Sequence, residues 1–175
     1  MNDNPTRRAL LLAAAAALAA SSQAYADDLR GVRIGAIRVD VSPMRANAEG
    51  PEADWLAAQL PAQLRQAFAA YYAPGARGAA TLEVRVNLVT LDASSGTPSP
   101  LSMFPPTLTD WIDGDARLIG PGGREIAHVS LNAAQHPTIL RDGLGYPPGS
   151  SALTESRVAT LGQSFAQWLP SKFGL

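Results

Sequence analysis

Residues Asp110–Asn132 read DWIDGDARLIGPGGREIAHVSLN, and this stretch decides the fold because it predicts two antiparallel strands joined by a tight turn. The strands are predicted over 110–119 and 124–132, and Gly120–Gly123 supplies the turn residues. Three residues of the second strand are predicted to face the core: Ala127, Val129 and Leu131. A hairpin that is polar on its other face needs a covering layer on one side only, which the rest of the chain must supply.

Two further strands are predicted on the N-terminal side of this hairpin. Thr81–Leu91 (TLEVRVNLVTL) alternates apolar and polar residues, so one face is predicted to be wet. Its core-facing residues are predicted to be Leu82, Val84, Val86 and Leu88. Val32–Val41 (VRIGAIRVDV) changes its apolar phase at Gly35 and Ala36, which predicts a β-bulge there.

Two amphipathic helices are predicted to form the covering layer. The first begins at Pro51 and ends at Pro74-Gly75, and Pro61 must kink it or start its second half. Its core-facing stripe is predicted as Leu56, Leu60, Leu64, Phe68 and Tyr72. The second begins near Ser151 and ends at Pro170. Its stripe is predicted as Val158, Leu161, Phe165 and Trp168.

The order β-α-β-β-β-α predicts an α+β fold with two layers. We expect an antiparallel or mixed four-stranded sheet with two helices on one face. Residues 27–175 are predicted to form a single domain, with irregular loops near 92–109 and 133–150.

The N-terminus has the three parts of an export signal, so residues 1–26 are predicted to be a signal peptide. Arg7 and Arg8 precede an apolar run, and Ala24-Tyr25-Ala26 is a small-x-small cleavage site. The run is short for a membrane span of roughly 20 residues, so no stable membrane anchor is expected. The TRRALL segment also fits the twin-arginine export signal. Either route predicts a periplasmic protein.

Composition narrows the function classes. Removing Asp3, Arg7 and Arg8 from the 15 acidic and 14 basic residues leaves 14 against 12, so nucleic acid is not expected as a partner. The chain contains no Cys, which excludes disulfides, Cys nucleophiles and a lipid-modified lipoprotein Cys. No cofactor is indicated.

The order of elements resembles the auxiliary lipoproteins of ABC-type transporters and other small outer-membrane assembly lipoproteins. The resemblance covers most of residues 32–169 and rests on the opening strand VRIGAIRVDV, the helix WLAAQLPAQLRQAF, the strand ATLEVRVNLVTL, the hairpin and the closing helix. It implies an accessory or assembly subunit that is not an enzyme. The missing lipoprotein Cys departs from those families, so the resemblance implies a soluble relative.

Three carboxylates in the first hairpin strand are candidate ligands for a hard cation. Asp113 and Asp115 would project from one face, about 7 Å apart, with Asp110 on the other face. The alternative is a polar strand edge that discourages edge-to-edge pairing. The two imidazoles, His128 and His136, do not follow a known metal-binding spacing.

The predicted partner- or ligand-binding residues are Met103, Phe104, Pro105, Pro106 and Trp111. A stiff apolar loop with an adaptable Met suits docking to a protein or to lipid. The alternative is that Met103 and Phe104 fold back onto the sheet edge.

Three function hypotheses follow from these features. The first is an exported, non-catalytic accessory protein that binds an envelope protein. The second is a periplasmic protein that binds a small ligand, either lipid or metal. The third is a hydrolase-like enzyme, although no Gly-x-Ser-x-Gly motif is present and GPGG precedes no helix that could bind phosphate.

Overall fold

The computed structural model describes residues 29, 31–91, 109–135 and 151–175. Within them lie four strands: β1 (Ile34–Asp40), β2 (Ala80–Thr90), β3 (Asp110–Ile119) and β4 (Glu125–Gln135). The helices of the same residues are α1 (Ser42–Ala46), α2 (Gly50–Ala67) and α3 (Ser151–Phe173). The predicted α+β class and element order are confirmed, with α1 as an addition that the sequence pattern did not predict.

The four strands form one mixed sheet in the order β1-β2-β3-β4. β1 and β2 are parallel, and the chain between them, including α1 and α2, makes the crossover that a parallel pair requires. β2, β3 and β4 are antiparallel neighbours. The bulge predicted in the first strand is confirmed, because the β1–β2 register shifts between Ile34 and Ala36.

Both long helices cover one face of the sheet, which we call the inner face. α2 packs against β1, α3 packs against β3 and β4, and the two helices pack on each other. The core between the layers is one cluster of buried side chains. Its largest fully buried members include Phe68, Phe165, Leu60, Leu64, Leu82, Ile112 and Leu118. The opposite face, which we call the open face, is covered by no helix of the described residues.

The β3–β4 turn forms as predicted. Gly122 and Gly123 have φ angles of 88° and 83°, a left-handed conformation that residues with a side chain rarely adopt. The Gly120 N–H donates to the Arg124 carbonyl at 2.7 Å and closes the turn. β4 then extends to Gln135, so residues 133–135 are strand and not part of the irregular loop predicted there.

The prediction that Leu88 faces the core is wrong, because β2 contains a second bulge. The β2–β3 register shifts between Val86 and Leu88, so Asn87 is an extra residue in β2. The shift reverses the side-chain alternation beyond it. Leu88 is therefore 42% exposed on the open face, whereas Val89 is buried. Val129 of β4, also predicted to face the core, is only half-buried.

The end of α3 also differs from the prediction. Trp168 is 47% exposed, and the neighbouring Leu169 takes the buried position of the stripe. Pro170 does not end the helix, which continues to Phe173. Phe173 is buried, and its ring meets Phe68 edge-on at a centroid distance of 6.4 Å. Burial of these aromatic side chains outweighs the single helix hydrogen bond that proline removes.

α2 passes through Pro61 as one helix, so Pro61 does not begin a separate half. Leu56, Leu60 and Leu64 are buried on both sides of it, as predicted. Their packing holds the helix together across the missing N–H. The predicted signal peptide, residues 1–26, lies outside the described residues, as does most of both predicted loops.

Candidate binding surface on the open face of the sheet

Two rows of polar side chains cross the open face in register. The first row is Arg38, Glu83, Arg117 and His128, one residue from each strand. The second row is Asp40, Arg85, Asp115 and Ser130. Opposite charges alternate along and between these rows, an arrangement that stabilises neighbouring strands modestly.

The arginines of these rows lie near carboxylates. Arg38 Nη1 is 3.2 Å from Glu83 Oε1, and Arg85 Nε is 3.9 Å from Asp40 Oδ2. Arg117 Nε is 3.7 Å from Glu125 Oε2. All six side chains are exposed, so each pair contributes little to stability.

Asp113 and Asp115 lie on the open face with Asp110 on the inner face, as the strand alternation predicted. Asn87, the extra residue of the β2 bulge, joins the two carboxylates. Its Nδ2 donates to Asp113 Oδ2 at 3.1 Å and to Asp115 Oδ2 at 3.0 Å. The bulge therefore aims an amide at a pair of like charges, a contact that strand alternation alone does not reveal.

Asp115 also accepts hydrogen bonds at its other oxygen. Ser130 Oγ donates to Asp115 Oδ1 at 2.5 Å, and His128 Nε2 lies 3.3 Å from the same oxygen. The Ser130 hydrogen bond, followed by that of Asn87, lowers the pKa of Asp115 below its ordinary value, and His128 adds to the effect. The carboxylate therefore stays ionised under mildly acidic conditions.

This pKa shift predicts how stability changes with acid. A carboxyl with a lowered folded-state pKa stabilises the fold above its unfolded pKa of about 3.9, and the contribution disappears as pH falls through the folded pKa. Asp115→Asn is expected to lose this contribution at pH 7, and the difference from the wild type should shrink as pH falls through the lowered folded-state pKa. Urea unfolding at a series of pH values measures the difference in the free energy of unfolding between the variant and the wild type.

Ser130→Ala is the companion variant for this prediction. It removes the strongest hydrogen bond to Asp115, so the pKa of that carboxyl should move back toward its ordinary value. Carboxyl-carbon NMR titration reports the change directly. An unchanged Asp115 titration in Ser130→Ala, or a gap between Asp115→Asn and wild type that is the same at every pH, would contradict it.

Beyond the charged rows, the open face becomes apolar. Trp111 is 44% exposed and lies on this face, as does Leu88. Leu88 is paired with Asp113 and Thr90 with Trp111, so Leu88 and Trp111 are diagonal neighbours across β2 and β3. We define the Trp111 patch as five residues: Asn87 and Leu88 of β2, and Trp111, Asp113 and Asp115 of β3.

A shallow depression of about 330 Å³ adjoins this patch, between β1, β2 and β3. Six charged residues and two valines line it: Arg38, Asp40, Glu83, Arg85, Asp115 and Arg117, with Val39 and Val84. The charged side chains suit a polar or ionic contact.

Asp110 belongs to a different environment, under the sheet. It is 2% exposed, and Arg157 of α3 binds it through two hydrogen bonds. Arg157 Nε donates to Asp110 Oδ2 at 2.8 Å, and Nη2 donates to Oδ1. Arg157 was not predicted as a functional or core residue, although it lies four residues before Leu161 on the apolar stripe of α3.

Four of the predicted binding residues, Met103, Phe104, Pro105 and Pro106, lie outside the described residues, as does His136. In the described part of the chain, no three His, Cys, Asp or Glu side chains form a group suited to a metal ion. Metal binding by Asp113 and Asp115 thus stays a prediction. Among the helices that the structure describes, none has the length and apolarity needed to cross a membrane.

No family model matches the chain, and no curated protein matches it. The solved structures that resemble it include the following two, both at low identity. A Caulobacter crescentus chain named as a lipoprotein is 15% identical with a TM-score of 0.48, covering 80% of this chain and 86% of that one. A minor lipoprotein from Acinetobacter baumannii is 13% identical with a TM-score of 0.34, covering 80% and 93%. At these values neither structure supports an assignment of function, and the resemblance to transporter auxiliary proteins stays a prediction.

Proposed function

We propose that this protein is an exported, non-catalytic accessory protein of the cell envelope that binds another envelope protein through the open face of its sheet. The observation that carries the proposal is the placement of exposed apolar side chains. The described residues expose three large ones, and two of them, Leu88 and Trp111, are neighbours on this face, which neither α2 nor α3 covers. Exposed aromatic groups beside polar ones are typical of protein interfaces.

Location in the envelope rests on the sequence of the first 26 residues, which predicts a signal peptide and a periplasmic destination. Binding of lipid or of a small ligand is the alternative. The six charged side chains that line the open-face depression favour a polar or ionic contact, which a protein surface can supply.

A hydrolase-like function was the third hypothesis, and the open face does bring Ser130, His128 and Asp115 together. Their order does not suit nucleophilic catalysis, because the carboxylate lies between the other two groups. Ser130 Oγ donates to Asp115, and His128 contacts that same oxygen. A catalytic serine needs the imidazole as its own hydrogen-bond partner, so that the imidazole can take its proton. This geometry favours a binding role.

Photo-crosslinking in cells tests the proposed function. A photoreactive phenylalanine analogue replaces Trp111 in the full chain, and adducts are identified by mass spectrometry. Trp168 is the matched control, since it is the same residue type, 47% exposed against 44%, and lies on α3 and not on the open face.

We expect one dominant envelope-protein adduct from position 111 and none from position 168. No protein adduct at position 111, or the same adducts from both positions, would overturn the proposed interface.

A further inference from the structure

We infer that the partner meets the Trp111 patch with a segment that carries Lys or Arg beside an apolar residue. This inference rests on the proposed function, since it names the chemistry of the partner at the same surface. The carboxylates of Asp113 and Asp115 have neutral or imidazole partners and no Lys or Arg in close contact.

The arginines of the open face make their close contacts with carboxylates outside the Trp111 patch. Each of the three lies within 4.0 Å of a carboxylate elsewhere on the face: Arg38 with Glu83, Arg85 with Asp40, and Arg117 with Glu125. In the described part of the chain, neither Asp113 nor Asp115 has a Lys or Arg within that distance. Their partners are Asn87, Ser130 and His128.

Asn87 keeps these two charges close together. Because one Nδ2 atom binds an oxygen of each carboxylate, those oxygens stay within about 6 Å of each other. Two carboxylates at such a separation repel, and a cation placed between them on the solvent side relieves the repulsion. The surface is thus complementary to positive charge.

The apolar part of the patch narrows the partner further. Trp111 offers an exposed indole two residues along β3 from Asp113, and Leu88 lies across from Asp113 on β2. The faces of indole rings attract Lys and Arg side chains, and Leu88 offers apolar contact. A basic peptide segment that also carries an apolar residue satisfies both features, whereas a phosphate-bearing surface would be repelled by the carboxylates.

Binding of a defined peptide tests this chemistry without knowledge of the partner. The probe is the blocked peptide Lys-Leu-Lys-Leu-Lys, and the control is Glu-Leu-Glu-Leu-Glu. Amide NMR of the folded domain should show shifts at Leu88 and at residues 111–115 with the basic peptide alone. The apparent affinity should fall about tenfold between about 50 mM and 300 mM salt.

Variants separate local charge from net charge. The double variant Asp113→Asn with Asp115→Asn should lower the affinity for the basic peptide by about tenfold. Trp111→Thr should also lower this affinity, and threonine is a residue that favours strands. Glu52→Gln with Asp54→Asn removes the same formal charge from α2 and should change binding less than about twofold. Circular dichroism confirms that each variant is folded.

Equal binding of both peptides, or shifts that map away from the Trp111 patch, would overturn the inference. The crosslinking assay distinguishes this failure from failure of the proposed function. A position-111 adduct that keeps its full yield in the double Asp variant retains the open-face interface but rejects a basic partner. Absence of that adduct in the wild type rejects the interface itself.

Discussion

Gly114→Ala should destabilise the fold by about 3 kcal/mol, although alanine ordinarily forms strands better than glycine does. Gly114 lies on the inner face of β3, opposite Val86. A Cβ at this position would lie 2.5 Å from the Arg85 carbonyl oxygen and 3.1 Å from Cζ of the Phe165 ring. The carbonyl belongs to the backbone of β2, so relief of this clash requires β2 to move away from β3, and the Phe165 ring of α3 must shift as well.

Urea unfolding measures this effect, and Gly50→Ala is its control. A Cβ at Gly50 meets no atom within 4 Å beyond its chain neighbours, so the expected cost is only the restriction that Pro51 places on the residue before it. We expect the control to cost less than about 1 kcal/mol. A Gly114→Ala variant with wild-type stability would show that the β2 backbone and the Phe165 ring lie farther from Gly114 than these distances.

Asp110→Asn should cost about 3 kcal/mol, because it removes the negative charge that two hydrogen bonds join to the buried Arg157 guanidinium. The Arg157 side chain is 13% exposed and that of Asp110 is 3% exposed. The pair joins the first residue of β3 to the second turn of α3, so its loss should loosen both at once. Urea unfolding at low and high salt is the measurement, and the loss should change little with salt because water is excluded from the pair.

Asp54→Asn is the matched control for the buried pair. It breaks the Arg45–Asp54 contact of 2.8 Å, whose side chains are 53% and 70% exposed. We expect a cost below about 0.5 kcal/mol. The double variant Asp110→Leu with Arg157→Met removes both charges, so it should be less destabilised than Asp110→Asn. A larger loss in the double variant would contradict the charge-burial explanation.

Strand alternation and helix periodicity predicted most of the fold. Leu56, Leu60 and Leu64 recur every four residues, and Leu82, Val84 and Val86 every two, and all six are buried as predicted. Burial of apolar surface fixes such positions directly, so a periodic pattern reports them well. The polar face of β3 was also predicted, and with it the shared placement of Asp113 and Asp115.

The errors arise where a local irregularity shifts the pattern. One inserted residue at Asn87 moved Leu88 from the core to the open face, and the sequence alone does not mark that insertion. In α3, Trp168 and Leu169 are adjacent apolar residues, and only packing decides which is buried. α1 spans five residues, too few for a helical period to be detected.

The buried ion pair could have been predicted from the side-chain periodicity of β3 and α3. Asp110 shares the parity of Ile112 and Leu118 on the inner face of β3. Arg157 lies four residues, about one helical turn, before Leu161 on the apolar stripe of α3. When two packed elements each carry a charged residue at a core-facing position, and the charges are opposite, the two residues are predicted to pair, because a single buried charge is unstable. The Trp111 patch could not be assembled this way, since it depends on the β2 bulge and on pairing between strands.

The position of α3 in the chain has a consequence for the order of folding events. Every strand precedes α3, yet Phe165 and Leu169 of α3 lie in the core under the sheet. A nascent chain can pair β3 with β4 through their short turn, but the part of the inner face that β3 and β4 form stays uncovered until α3 has been synthesised. During that interval the protein exposes the apolar surface that invites aggregation. A general chaperone that binds apolar strands is therefore expected to hold chains truncated before Ser151 and to release chains that include α3.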